Sequence, residues 1–187
     1  TKLRSLDRAV PDPAARGPFD TKISNFRHLA FSSRRAGRRE TEAQAYFSIG
    51  VMHDNEGQFD EALRAYGQFL DVAREIEDLE KEALAYNAMG VDEMAAACPA
   101  KTTGEGFGAA ALSDQSVERL ERAVKLHERH LAVADAGGRF AAFTNLGLCK
   151  GALGDADGAA RHHQDALRLA IELESSSGQS IAVGNLG

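Results

Sequence analysis

The histidines are the residues of this chain best suited to hold a metal ion, but their spacing brings no ligand set together. His127 and His130 stand three residues apart, and His162 is adjacent to His163. A zinc site needs convergent ligands, commonly including cysteine or a carboxylate. His127 and His163 also occupy a position of a repeated pattern where Tyr66 stands in another segment. We therefore predict that they are packing residues of aromatic size, and we predict no metal site.

A glycine-rich stretch and several acidic pairs are the next candidates for chemistry. Thr102–Gly108 reads TTGEGFG, whereas a phosphate-binding loop needs a Lys-Ser or Lys-Thr pair between a strand and a helix. We predict a loop that either contacts a partner or is passive. Asp60-Glu61 and Asp155-Asp157 lie at predicted helix starts, where carboxylates complement the helix dipole. We predict no carboxylate pair aimed into a pocket, no catalytic residue and no cofactor, and therefore no enzyme.

The element that positions these residues is a repeated helix that ends in glycine. Each copy has an alanine, a bulky residue, two variable residues, an apolar residue and a glycine. The four copies are AYFSIG (45–50), AYNAMG (85–90), AFTNLG (142–147) and AVGNLG (182–187). The bulky and apolar positions are three apart and share one helix face. The glycine is expected to let a neighbouring helix approach closely, which offsets its helix-propensity cost of about 1 kcal/mol.

A second repeated helix follows three of these copies. The sequences are ALRAYGQFLDVA from Ala62, AVKLHERHLAVA from Ala123 and AARHHQDALRLA from Ala159. Alanine, an aromatic or histidine, leucine and alanine recur at steps of four, four and three, which keeps them on one helix stripe. Gly50 and Gly90 are 40 residues apart, as are Gly147 and Gly187. This period predicts an all-α solenoid of helical hairpins.

This frame resembles the tetratricopeptide repeat (TPR) family. In that pattern a glycine is followed by an alanine twelve residues later and an aromatic four beyond it, as at Gly50, Ala62 and Tyr66. The 40-residue period exceeds the common 34, and the usual closing proline is absent. The chain is therefore similar to the long-repeat subgroup that includes the Leu-Gly-Asn spindle-orientation adaptors. The resemblance covers roughly residues 25–187.

The resemblance implies that the first helix of each repeat lines a concave groove. The positions that face this groove in the family map onto Phe47, Val51, Asp54, Asn87, Val91, Met94, Thr144, Asn145, Leu148 and Asn185. Asparagine can both donate to and accept from a peptide backbone, and the apolar positions could hold a partner's side chains. The row suits an extended or helical peptide. The alternative is that these residues only pack against adjacent repeats or a capping segment.

The repeats divide the chain into six predicted segments. They are an extended arm or linker (1–20), a degenerate repeat or capping helix (21–40), a first repeat (41–78), a second repeat with a loop inserted near 98–113 (79–138), a third repeat (139–178) and the start of a fourth (179–187). The insertion follows from spacing: Gly90 and Ala123 are 33 residues apart, against 12 for the equivalent pairs, which leaves 21 extra residues. Gly137-Gly138 is expected to break the chain before the third repeat, and Gln179 to open the fourth.

The charge distribution bears on the kind of partner. Residues 1–40 hold ten basic and four acidic residues, a balance of +6, whereas residues 41–187 hold 12 and 24, a balance of −12. The acidic repeats are not expected to bind nucleic acid, because phosphate contacts dominate that affinity. The basic leader suggests an acidic partner or the chain's own repeats. Arg34, Arg35, Arg38 and Arg39 form either a docking patch for an acidic surface or a cationic helix end.

We predict that the chain is a scaffold that binds a protein partner through a TPR superhelix. One alternative is a structural subunit of a large cytoskeletal assembly such as a ciliary axoneme, held by neighbouring subunits, and a weaker one is a regulatory TPR domain of a larger protein. Two cysteines are too few for a disulfide framework, which favours a reducing, cytoplasmic compartment, with a cytoskeletal or ciliary location as the alternative. No apolar run is long enough to span a bilayer, so no membrane partner is predicted. We expect the sequence to be an excerpt of a longer protein.

Overall fold

The computed structural model describes residues 17–98 and 112–186. Within these ranges the chain is an all-α solenoid, and each helix packs on the next, with α4 also contacting α6. The helices are α1 (Pro18–Arg35), α2 (Arg39–Asn55), α3 (Phe59–Glu75), α4 (Leu79–Ala97), α5 (Asp114–Val133), α6 (Ala136–Ala152), α7 (Ala156–Glu172) and α8 (Ser176–Leu186). The predicted fold class is therefore confirmed. Helices α2 and α3, α4 and α5, and α6 and α7 form three hairpins, and α1 and α8 flank them.

Five of the connections are three-residue turns with the same backbone geometry. The middle residue of each turn has a left-handed φ, at Gly37 (70°), Gly57 (69°), Glu77 (57°), Gly154 (83°) and Glu174 (53°). The next N–H then donates to a carbonyl five residues back, at 2.9 Å in all five turns. This bond caps the C-terminus of the preceding helix.

The repeated glycines receive a ring from the second helix of the same hairpin. A Cβ placed on Gly90 would lie 2.5 Å from Cε1 of His127, and one on Gly50 or Gly147 would come within 3.0 Å of the Tyr66 or His163 ring. Real Cβ atoms do not approach so closely, so only glycine fits. The close helix approach expected from the sequence is confirmed, as is the packing role of His127 and His163.

Buried residues form clusters between neighbouring helices. One cluster centres on Phe69 and Tyr86, where α3 meets α2 and α4. Another joins Val124, Leu146 and Cys149 of the second and third hairpins. Because each cluster draws on adjacent helices only, each hairpin depends on its neighbours for burial of its apolar face.

Two predicted boundaries are wrong because side-chain caps decide where the helices begin. Gly137 and Gly138 lie in the first turn of α6, where Asp135 accepts a hydrogen bond from the Gly138 N–H at 2.8 Å. Helix α8 begins at Ser176, so Gln179 does not open it; Ser175 Oγ accepts from the Gly178 N–H at 3.1 Å.

The predicted arm and the predicted loop are described only in part. Residues 18–20 belong to α1 and are not extended, while the rest of the arm lies outside the described residues. The stretch Thr102–Gly108 lies outside them too. Ser113 caps α5, since its hydroxyl accepts from the Ser116 N–H at 3.1 Å.

Candidate partner-binding groove

The predicted groove residues are carried by the first helices, α2, α4, α6 and α8. Val91 on α4 and Leu148 on α6 are each 43% exposed, although both are large apolar side chains. Each follows directly after its repeated glycine, so the helix repeat places them at equivalent points of neighbouring hairpins. Val51, at the same point of α2, is partly buried. The surface thus presents an apolar position from successive hairpins.

A hollow of about 580 Å³ opens between α4, α6, α7 and α8. Its lining includes three of the predicted groove residues, Met94, Leu148 and Asn185. Gly151 and several alanines of α6 and α7 form much of the remaining wall. Because these wall residues are small, the helices leave a space large enough for several apolar side chains of a partner.

An amide pair joins two of the groove helices. Asn145 Nδ2 donates to Asn87 Oδ1 at 3.3 Å, which links α6 to α4. Each amide has a further donor or acceptor capacity that this bond does not use. The two asparagines therefore lie together as a polar point beside the apolar positions Val91 and Leu148, and the remaining amide groups could bond a peptide backbone.

Two predicted groove residues are engaged within the protein. The Phe47 ring lies 5.1 Å from that of Phe69 and 5.7 Å from that of Tyr66, so it packs against the core between α2 and α3. The Thr144 hydroxyl donates to the Phe140 carbonyl of its own helix at 2.9 Å. For these two positions the structure supports the alternative that they pack within the repeats.

A pair of carboxyl groups, which the sequence analysis did not expect, lies between α2 and α4. Asp92 is 2% exposed and hydrogen-bonds through its carboxyl group with Asp54, which is partly buried. Burial, followed by the charge of Asp54, raises the pKa of Asp92 to about 7. The prediction was that no carboxylate pair is aimed into a pocket, and this buried pair does not test it. The sequence does contain an indication of this pair, because Asp92 stands two residues after its repeated glycine, where the other repeats have Met52 and Cys149.

A second acidic residue of α4 is held by two arginines. Glu93, buried, accepts from Arg122 Nε at 2.7 Å and from Arg119 Nη1 at 3.0 Å. Arg119 also donates to Asp60 at 2.7 Å, which lowers the pKa of the Asp60 carboxyl. Asp60 thus joins α3 to α5, a role beyond the helix-dipole contact expected from its position. This network braces the first two hairpins and is not part of the exposed row.

The four arginines of the predicted basic patch are not equivalent. Arg39 forms ion pairs with Glu42 at 2.7 Å and with Glu75 at 2.6 Å. Arg34 and Arg35 lie in the last turn of α1, where positive charge favours the helix C-terminus, and the Arg35 guanidinium lies 5.8 Å from the centre of the Phe31 ring. Arg38 precedes α2. A docking role for this patch stays a prediction.

The buried histidines and cysteine show no arrangement for chemistry. Neither ring nitrogen of His127 has a hydrogen-bond partner, and burial lowers the pKa of His127 to about 4. Burial raises the pKa of the Cys149 thiol to about 12, which suppresses the nucleophilic thiolate. Across 17–98 and 112–186, no three histidine, cysteine or carboxylate side chains converge to hold a metal.

Comparisons with known proteins agree with this architecture. Residues 45–80 match the family model described as "Tetratricopeptide repeat", which supports that family for most of α2, all of α3 and the start of α4. The search of curated proteins found no match. Among solved structures, the crystal structure of BtubC (BKLC) from P. vanneervenii is similar over 84% of this chain, with a TM-score of 0.57 and 18% identity. The present chain covers 58% of that chain, and the likeness concerns the fold alone. None of the helices in the described ranges combines the length and apolarity needed to cross a bilayer.

Proposed function

We propose that this chain is a protein-interaction scaffold of the long-repeat TPR type, which binds a segment of a partner protein along the row formed by α2, α4 and α6. The observation that carries the proposal is the exposure of Val91 and Leu148 at equivalent points of neighbouring hairpins. Apolar side chains that are exposed in register on a rigid surface are typical of recognition sites. The hollow beside Leu148 and the Asn87–Asn145 pair supply an adjacent apolar space and a polar point.

The physical basis of such binding is preorganisation. The five turns of common geometry and the glycine–ring contacts fix every described helix pair except α5 and α6 before a partner arrives. Little ordering cost then falls on the scaffold, and the partner's segment supplies most of the lost conformational freedom. An extended or helical segment could bury its apolar side chains on Val91, Leu148 and the hollow, and bond its backbone to the amides.

Photo-crosslinking tests the position of the partner. A photoreactive amino acid is placed at Val91, at Leu148 or, as a control, at Ile171, which is 57% exposed on the second helix α7. We expect crosslinks to one partner segment from positions 91 and 148 and not from 171. That segment is then synthesised, and its Kd is measured with Val91→Asp, Leu148→Asp and Ile171→Asp variants. Equal crosslinking at all three positions, or an unchanged Kd for the first two variants, would remove the groove from the proposal.

A second candidate is a structural subunit of a large assembly, such as a cytoskeletal or ciliary one, and one observation favours it. Phe31 is 61% exposed on α1, which is not one of the helices that carry the groove row. A second exposed apolar position would suit a subunit with several neighbours. Crosslinks from Phe31 to a different protein than those from Val91 would support this candidate, and crosslinks from Val91 alone would oppose it. A regulatory role predicts a further domain in a longer chain, which sequencing of the full transcript would reveal.

A further inference from the structure

A second hollow, of about 570 Å³, opens between α1 and α2. Phe26 and Leu29 of α1 and Met52 of α2 form its apolar wall, and Lys22 and Asn25 of α1 complete the lining. Leu29 is 41% exposed and Lys22 is also exposed, so the hollow is open to a molecule from outside. None of these residues belongs to the groove row. The hollow is therefore a surface separate from the one described above.

The line of contact between two consecutive helices is covered, elsewhere in the solenoid, by the helix that precedes both. Phe47 of α2 packs on the cluster of Phe69 and Tyr86, which joins α3 to α4. Met94 of α4 packs on the cluster of Val124, Leu146 and Cys149, which joins α5 to α6. Within the described residues no helix precedes α1, and the hollow lies where α1 meets α2. Its position in the repeat is therefore one that a helix fills.

The charges of α1 indicate the chemistry of the helix that would fit. Helix α1 carries Lys22, Arg27, Arg34 and Arg35 against one acidic residue, Asp20. None of these four basic side chains forms an ion pair with another described residue. Asp20 stands two residues before Lys22, and side chains at that spacing do not face each other on a helix. An acidic side chain of a partner would therefore meet an uncompensated positive charge at Lys22.

The same charges favour a separate protein over the chain's own first residues. Residues 1–16 hold four basic and two acidic side chains, a balance of +2, which has the same sign as the charge of α1. A segment of like charge gains nothing beside Lys22, so an acidic helix of another protein is the better complement.

We propose that the hollow between α1 and α2 docks an amphipathic helix of a partner protein, with apolar side chains on Phe26, Leu29 and Met52 and an acidic side chain beside Lys22. This surface goes beyond the proposed function, because it uses neither Val91 nor Leu148. Burial of the apolar wall supplies most of the affinity. The contact with Lys22 selects an acidic helix over a neutral one.

Three matched peptides test this surface. Each is a capped peptide of about 18 residues, long enough to form a helix, with leucines at helical spacing on one face. The positions that flank the leucines are glutamate in the probe, glutamine in the neutral control and lysine in the reversed control. Binding to the whole chain is followed by the amide NMR signals of α1 and α2. The variants are Leu29→Asp and Lys22→Glu, and their controls are Ile171→Asp, 57% exposed on α7, and Lys125→Glu, exposed on α5.

We expect the glutamate peptide to shift the signals of α1 and α2 and to bind roughly two- to fivefold more tightly than the glutamine peptide, the range of an exposed ion pair. Leu29→Asp should weaken its binding about tenfold. Lys22→Glu should transfer the preference to the lysine peptide, and the two control variants should change nothing. Absence of binding, equal binding of the three peptides, or an unchanged affinity in Leu29→Asp would overturn the proposal.

Two further measurements distinguish other occupants of the hollow. Analytical ultracentrifugation of the chain alone would overturn the proposal if it showed a dimer that Leu29→Asp abolishes, because a second copy would then fill the hollow. A combined Leu3→Asp and Leu6→Asp change would overturn it by raising the affinity of the glutamate peptide roughly tenfold, because residues 1–16 would then be the occupant. A monomer with unchanged affinity supports the partner helix. The groove is decided separately, by the Val91→Asp and Leu148→Asp measurements.

Discussion

Replacement of Gly90 by alanine probes the close contact between α4 and α5 at the His127 ring. The new Cβ would lie 2.5 Å from Cε1, 2.6 Å from Nε2 and 2.9 Å from Nδ1 of the His127 ring. Carbon atoms in favourable contact are about 3.5–4.0 Å apart, so the ring must move by roughly 1 Å. His127 is 0% exposed, and the ring therefore has no route to solvent. Alanine gains about 0.8–1 kcal/mol of helix propensity over glycine, while overpacking costs about 1–3 kcal/mol.

The matched control is Gly67→Ala in the interior of α3. A Cβ at Gly67 meets nothing within 4 Å, so only the propensity gain remains. We expect Gly67→Ala to stabilise the protein by roughly 0.5–1 kcal/mol and Gly90→Ala to be about 1–3 kcal/mol less stable than Gly67→Ala. Urea unfolding followed by far-UV circular dichroism measures both free energies of unfolding.

A third and a fourth variant separate the ring from other causes. In a His127→Ala background the obstruction is gone, and the added Gly90→Ala change should then stabilise as Gly67→Ala does. Equal free energies for Gly90→Ala and Gly67→Ala in the wild-type background would refute the reasoning. So would a penalty for Gly90→Ala that persists when His127 is alanine.

Three further predictions concern buried charge. The pKa of Asp92 is about 7 in the folded state and 3.8 in the unfolded chain, so stability that is present below pH 3.8 is lost as the pH rises through 7. We therefore expect Asp92→Asn to be more stable than wild type by roughly 1–3 kcal/mol at pH 8, after discount for solvent screening of the pair, and no more stable at pH 3. Burial lowers the pKa of His127 from 6.5 to about 4, so His127 stays neutral in the folded state while the unfolded chain takes up a proton. Up to about 3 kcal/mol of the free energy of unfolding is therefore lost as the pH falls from 6.5 to 4. Urea titrations of wild type and His127→Phe across this range should show a smaller loss in the variant. Glu93→Gln should cost roughly 1.5–3 kcal/mol, because buried Glu93 loses its charge-assisted hydrogen bonds to Arg119 and Arg122, while Arg119 keeps Asp60 and Arg122 stays partly hydrated. Asp165→Asn, at an exposed ion pair, should change the free energy of unfolding by less than about 1 kcal/mol, and comparable losses in these two variants would contradict the distinction.

The architecture was predictable because the same physical requirement recurs along the chain. A glycine that must accommodate a ring, as at Gly50 and Gly147, recurs at a regular spacing in the sequence, and the ring position of His163 is predicted by the same repeated spacing. Helix starts were less predictable. The glycines near residue 137 suggest a break by propensity, but the carboxylate of Asp135 caps the helix ahead of them and fixes its start.

The site was only partly predictable, because exposure depends on neighbours in space. Val91 and Leu148 follow from the frame and are exposed, whereas Phe47, at an equally regular position, meets the rings of α3. The Asp54–Asp92 pair is a contact between residues 38 positions apart. A single acidic residue at a position that is otherwise apolar gives a hint of it, but its partner becomes evident only when the two helices are placed together.

The brace of Asp60, Arg119, Glu93 and Arg122 has a consequence for the connection between α4 and α5. Helices α4 and α5 are joined by a long stretch of sequence, yet their relative angle is set by ion pairs and packing and not by the length of that connection. The loop-closure entropy of a longer connection rises only slowly, by about 0.6 kcal/mol for each doubling. The sequence between α4 and α5 could therefore be lengthened or shortened at a small free-energy cost while the ion pairs that hold α5 against α3 and α4 are kept.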